Sequence, residues 1–192
     1  MRFRLVLSIV GFMGMICGFS MMIPALVDLL CGAFDAATRF SISSSISVAI
    51  SLLIYLCAGT HKEPLRVKEM FLTTTLVWII SILLSALPFF LSTYAISWSD
   101  SIFEATSGLT TTGSTILSGL DHLSPGLLLW RSMLQWIGGA GILVLAITIL
   151  PTLHIGGMQF FNTESSAQSE RDLPTVVQNM QALFIYFICF IY

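Results

Sequence analysis

Four times before residue 152 the chain runs for twenty or more residues with almost no charge, at 5–30, 40–59, 70–94 and 125–151. At about 1.5 Å of helical rise per residue each run can cross the roughly 30 Å hydrocarbon core of a bilayer. Only helices and closed barrels satisfy every backbone polar group there, and runs of this length are helical. The reading is therefore an all-α integral membrane protein in the lipid bilayer. The run at 5–30 exceeds the 7–15-residue apolar core of a signal peptide and has no small-x-small cleavage site, so it reads as a retained span. A fifth run, 176–192, sits at the lower limit for a span and reads as a helix cut off midway.

Composition narrows the function. Charged residues make up 9% of the chain, against about 25% in soluble domains. A net charge of −2 and the lack of a basic tract argue against nucleic acid as a partner. Cys17, Cys31, Cys57 and Cys189 have no metal or redox spacing and read as small core residues. His61, His122 and His154 stand in separate loops with no nucleophile pair, metal spacing or phosphate loop around them. That disfavours an enzyme, and no cofactor is called for.

Polar segments set the topology. The most charged stretch, 60–69, must lie outside the hydrocarbon, as must a polar linker at 152–175. Arg2, Arg4, Lys62, Arg66, Lys68 and Arg171 fall on one side, with Arg39 and Arg131 toward the other, which makes the amino terminus cytoplasmic by the positive-inside rule. The outer face then carries Asp28, Asp35, Asp100, Glu104 and Asp121, an excess of acid that would attract cations. Within the spans, Gly11, Gly14 and Gly18 form a smooth stripe suited to contact with another helix, or are simply scattered. The serine-rich start of the second span suits helix packing, with the hydroxyls bonded to the preceding turn. Pro88 is placed to kink the far end of the third.

One stretch fits neither span nor linker. From Ser107 to Leu117 the sequence is SGLTTTGSTIL. Upstream, Ser101 and Glu104 stand in capping-box spacing with Asp100 beside them, predicting a helix over 101–108. Such a helix is roughly 12 Å long and cannot span. Gly108 would let the chain leave it, and 110–115 would follow in extended form. A half-spanning helix and hydroxyl-rich irregular backbone describe a re-entrant pore loop, tolerated at membrane depth only where protein or a water-filled path covers it. Consecutive carbonyls from such a strand could form part of a ring of oxygens around a dehydrated monovalent cation, with Gly113 supplying dihedral freedom. One loop gives only part of a ring. In the next span Arg131 shares a helical face with Gln135 and Gly138. Two readings are open: this face lines the pore or pairs with Glu104 or Asp121, or Arg131 snorkels to the interface beside Trp130. Gly138, Gly139 and Gly141 read as a packing surface.

Three blocks resemble one family in order and spacing: IFEATSGLTTTGSTIL (Ile102 to Leu117), LLLWRSMLQWIGGAGILVLAITILP (Leu127 to Pro151) and IGGMQFF (Ile155 to Phe161). They are similar to the TrkH-type potassium-uptake proteins of the bacterial inner membrane, within the Trk/Ktr/HKT superfamily of cation transporters. The resemblance implies two leading helices (1–60), a first repeat of outer helix, pore loop and inner helix (61–151), and the start of a second repeat (176–192). Four such repeats surround one pseudo-fourfold pore. It further implies that Thr111, Thr112, Gly113 and Ser114 are the first quarter of a selectivity filter, with K+ held by the carbonyls of Thr111, Thr112 and Gly113. Thr110, Thr115, Glu104 and Gly108 would support it. A glycine at Gly113 goes with potassium preference; Ser114 stands where alanine is frequent. A cytosolic TrkA-like nucleotide-binding regulator and a homodimer of the full-length protein are also implied. The expected function is thus potassium uptake by a larger permease of which this chain is a fragment. The alternative is a short membrane protein, either a homo-oligomeric cation pore or a non-conducting scaffold.

Overall fold

The computed structural model describes residues 3–59, 67–94 and 96–149, and among these every regular element is helical. The chain divides into two compact units, Met1–Val144 and Leu145–Tyr192. The expected linker 152–175, the run 176–192, the block 155–161 and Arg2, Lys62, Arg66 and Arg171 lie outside the described residues. In the second unit the described residues are a short helical stretch ending at Ile149.

The first long run folds as α1 (Phe3–Ser20) and α2 (Met22–Leu30), broken at Met21. Pro24 explains the break, because it has no N–H to give and its ring would meet the carbonyl four residues back. Next, α3 (Phe34–Ala58) begins six residues earlier than expected, so Asp35 and Arg39 are helical rather than linker. They pair at i,i+4 spacing, 3.4 Å apart, and Arg39 Nη1 donates to the Leu91 carbonyl at 2.7 Å. The third run is α4 (Val67–Ser85) followed by the short α5 (Leu87–Phe90). The discontinuity falls at Ala86, just ahead of Pro88, as a proline kink requires, and the helix ends at Phe90 instead of Tyr94. Phe3–Leu30, Phe34–Ala58 and Lys68–Phe90 are each long and apolar enough to cross a membrane.

The glycine stripe of α1 packs on α3, with no room for side chains. A Cβ on Gly11 would lie 2.8 Å from the Ser51 carbonyl and one on Gly18 2.8 Å from Val48 Cγ2. Lipid gives no hydrophobic drive for helices to associate, so close backbone approach and hydrogen bonds must supply it. The serines of α3 do both. Ser41 and Ser43 donate to the carbonyls of Ala37 and Arg39 a turn back, while Ser44 crosses to the Gly18 carbonyl at 2.8 Å. Two of the cysteines depart from expectation: Cys31 and Cys57 are exposed rather than core, while Cys17 is partly buried, its Sγ 3.4 Å from Ser85 Oγ; Cys189 lies outside the described residues.

Asp28 also departs from its expected place on the outer mouth. It is fully buried, and its Oδ1 accepts the Gly126 N–H at 2.7 Å while Oδ2 accepts the Ser124 hydroxyl at 3.3 Å. These donors are the start of α7 (Pro125–Ile149), so an acid of the leading helix pair caps the inner helix. Gly126 is required there, since a Cβ would run into the Asp28 carboxylate and the Pro24 carbonyl. Removing the acceptor should leave the Gly126 N–H buried and unpaired. Asp28→Ala is expected to cost about 1–3 kcal/mol, and Asp28→Asn, which keeps an acceptor oxygen, less than half of that. Thermal unfolding of the purified protein in lipid nanodiscs measures both.

Candidate functional site: the pore loop

The expected short helix forms as α6 (Trp98–Leu109), three residues longer at its start than expected. Ser97, not Ser101, is the N-cap, and its Oγ accepts the Asp100 N–H at 3.2 Å. Ser101 is buried one turn into the helix and donates to the Ser97 carbonyl at 2.9 Å. Glu104 is therefore mid-helix and buried, with no part in the cap.

The exit from the helix also differs from expectation. Gly108 remains helical and its bare face meets Leu134 of α7, where a Cβ would lie 2.9 Å from Leu134 Cβ. The chain turns instead at Thr110, the C-cap, and Thr111, which takes a left-handed φ of 56°. A β-branched residue there is strained by about 1–3 kcal/mol, a conformation that persists only where the surroundings enforce it. They do so through the end of the helix. The N–H groups of Thr110, Thr111 and Thr112 donate to the carbonyls of Thr106, Gly108 and Ser107 at 2.8, 3.0 and 3.0 Å. The Thr110 hydroxyl bonds the Thr106 carbonyl at 2.7 Å and the Thr112 hydroxyl at 2.8 Å. Gly113 follows with φ 75°, its N–H 3.5 Å from the Ser107 carbonyl.

The outgoing limb is tied to the same helix by two buried side chains. Ser107 Oγ donates to the Ser114 carbonyl at 2.5 Å. Glu104 Oε1 accepts both the Thr115 hydroxyl at 2.6 Å and the Ile116 N–H at 2.8 Å. Its second oxygen, Oε2, lies 3.3 Å from Arg131 Nε of α7. This decides between the two readings of Arg131: it pairs with Glu104, and Trp130 is not interfacial but fully buried, donating to the Ser85 carbonyl at 3.2 Å. Gly138 lets α7 come close, for a Cβ would collide with the Leu109 carbonyl at the end of α6. Gly139 and Gly141 make only ordinary contacts, 3.8 Å from Thr111 Cγ2 and 4.0 Å from Trp78. Gln135 is exposed, with its amide beside Gly113.

Among the described residues no donor reaches the carbonyls of Thr111, Thr112 or Gly113, while that of Ser114 is occupied by Ser107. The segment 110–116 is exposed in the isolated chain. Three consecutive carbonyls without a protein partner, fixed by a buried scaffold, can only be satisfied by water, another chain segment or a cation. The five outer acids expected to draw cations reduce to fewer: Asp28 and Glu104 are buried and bonded, and Asp35 pairs with Arg39. Sequence reading passed over Ser107 as a clamp, although a hydroxyl one turn before a helix end is placed to bond the chain that leaves it.

Comparison with known proteins finds relatives over most of the chain. The family described as "TrkH: Cation transport protein" matches residues 36–191. The Trk system potassium uptake protein TrkI of Halomonas elongata is 38% identical over 173 residues, covering 90% of this chain and 35% of that protein. The corresponding TrkH of the same organism is 38% identical over 192 residues, covering 97% and 39%. The crystal structure of the potassium transporter TrkH from Vibrio parahaemolyticus superposes with a TM-score of 0.79 at 34% identity, over 98% of this chain and 37% of that one. The chain thus spans under two fifths of the length of these relatives. It belongs to the TrkH family of cation transport proteins.

Proposed function

We propose that this chain is the amino-terminal part of a potassium-uptake permease of the bacterial inner membrane, with its amino terminus cytoplasmic, and that it supplies the first of four walls of a selectivity filter. The observation that carries this is the run of three unbonded carbonyls at Thr111, Thr112 and Gly113, set at the carboxyl end of the short helix α6. A dehydrated K+ needs a shell of oxygens to replace its water, and backbone carbonyls are suited to supply it. Left-handed residues at 111 and 113 change the facing of successive peptide planes, so that carbonyls need not alternate as they do in a strand. The carboxyl end of α6 adds the negative end of its dipole. The names of the relatives support potassium as the ion, and the share of their length that this chain covers supports a larger protein.

In this reading Glu104, Arg131, Ser107 and Thr115 do not touch the ion. They hold the strand at a fixed distance from α6 so that its carbonyls need no reorganisation as ions pass. Domain limits follow the helices: a leading pair to Ala58, then an outer helix, pore loop and inner helix from Val67 onward. A cytosolic TrkA-like nucleotide-binding regulator and dimerisation of the complete permease belong to the same proposal.

Expression of the complete reading frame should restore growth of potassium-uptake-deficient cells at low potassium, and Gly113→Asp should abolish it; uptake equal to wild type in that variant would remove Gly113 from the filter. A 192-residue chain reconstituted alone in vesicles is expected not to conduct K+, and conduction there would favour a homo-oligomeric pore.

The Glu104 to Arg131 pair yields a separate expectation. Arg131→Met should destabilise the protein by about 3 kcal/mol by leaving a buried carboxylate unpaired. Adding Glu104→Gln, which retains acceptor oxygen for Thr115 and Ile116, should recover at least half of that loss in a thermal-shift measurement.

A further inference from the structure

A small cavity of about 10 Å³ lies between the start of α3, the short α5 and the start of α7. Arg39 and Phe40 line it from α3, Pro88 from α5, Ser92 from the segment after it, and Ser124 and Leu127 from the start of α7. Two of these residues carry a buried polar atom with no hydrogen-bond partner among the described residues: Arg39 Nε and Ser92 Oγ. Buried polar atoms in folded proteins are nearly all bonded, to protein or to ordered water. Two such atoms on one cavity call for a shared partner.

The guanidinium is not free to turn toward another group. Its Nη1 donates to the Leu91 carbonyl at 2.7 Å and its Nη2 lies 3.4 Å from Asp35 Oδ2. Leu91 precedes Ser92 in the chain, so the bond that holds the arginine also holds the serine close to it. On the far wall the Ser124 hydroxyl donates to Asp28 Oδ2 and accepts the Leu127 N–H, both at 3.3 Å, which leaves it one lone pair. A buried water needs about 10–15 Å³ and two to four polar partners, and the cavity offers both. A cation would meet the guanidinium, and an anion would meet the carboxylates of Asp35 and Asp28 on either side. A neutral molecule that both donates and accepts suits the lining best.

We propose that this cavity is a site for one ordered water, which accepts from Arg39 Nε, exchanges a hydrogen bond with Ser92 Oγ and donates to Ser124 Oγ. The site is independent of the filter reading above. It completes a polar chain from Asp35 through Arg39, the water and Ser124 to the buried carboxylate of Asp28, which caps α7. The bridging molecule joins α3 to the segment after α5 and to the start of α7, three elements that share no side-chain hydrogen bond at one point otherwise. Water-mediated bonds of this kind are nearly as favourable as direct ones.

A density map of the complete protein at about 2 Å, from crystals grown in sodium bromide, tests this. One peak within about 2.7–3.2 Å of both Arg39 Nε and Ser92 Oγ, without anomalous bromine signal, is the expected result. A bromine signal there would make the site an anion site and overturn the proposal. So would the lack of a peak where other buried waters are seen, or a direct bond from Arg39 Nε to a protein atom. Where no map reaches that resolution, Ser92→Ala and Ser92→Val in a thermal-shift measurement carry the test. Alanine leaves room for the water, whereas valine fills the cavity and strands Arg39 Nε. Valine is therefore expected to melt lower than alanine, by about 2–4 °C. A valine variant that melts at or above the alanine variant would show a dry cavity and overturn the site.

Discussion

The carboxylate of Glu104 is bonded on both oxygens, and to different elements. Oε1 takes a hydroxyl from Thr115 and an N–H from Ile116, and Oε2 faces the guanidinium of α7. In a low-dielectric surrounding such contacts are strong when complete and costly when broken, because a buried carboxylate without partners has no water to fall back on. Helix, loop and inner helix are therefore set by one group. The strained Thr111, the open carbonyls after it and the contact of Gly138 with the Leu109 carbonyl all depend on α6 and α7 keeping this distance. A segment of unbonded backbone needs rigidity from elsewhere, and a buried ion pair with two further hydrogen bonds is a compact way to provide it.

Much of the architecture was legible because the bilayer admits few solutions. Long apolar runs gave the helices, Gly11, Gly14 and Gly18 gave the α1 to α3 contact, and Pro88 gave the discontinuity before α5. The loop was legible by elimination, being too polar for lipid and flanked by spans. The errors were local. Two capping patterns overlap, Ser97 with Asp100 and Ser101 with Glu104, and spacing alone does not rank them; burial does, since Glu104 is buried and bonded to Thr115. Gly108 read as an exit because glycine permits one, whereas its place in the fold is the close approach of Leu134. Asp28 read as a surface acid because its partners lie some 96 and 98 positions away, beyond any local pattern.

Helices α2 and α3 are joined to α4 and α7 by specific chemistry as well as by contact. Asp28 reaches from α2 to the start of α7, Trp130 of α7 donates to Ser85 at the end of α4, and Phe40 of α3 meets the Trp130 ring edge-on at 6.5 Å. The start of α7 is thus shared between the pair and the outer helix, with Glu104 fixing the same helix lower down. Movement of α7 relative to α6 and the segment 110–116 would have to break polar bonds at both levels.

The Asp28 cap also bears on how the protein is made. Its acceptor and its donor are separated by 98 positions, which at roughly 5–20 residues per second of synthesis is an interval of several seconds. During that interval α2 has been delivered to the membrane while the N–H groups that will satisfy its carboxylate do not yet exist. An ionised acid near a bilayer without a partner stays toward the aqueous boundary, since its burial alone is prohibitive. The contact that satisfies the end of α2 therefore forms only after the start of α7 has been made, so the earliest helices of the chain are completed by one of its later ones.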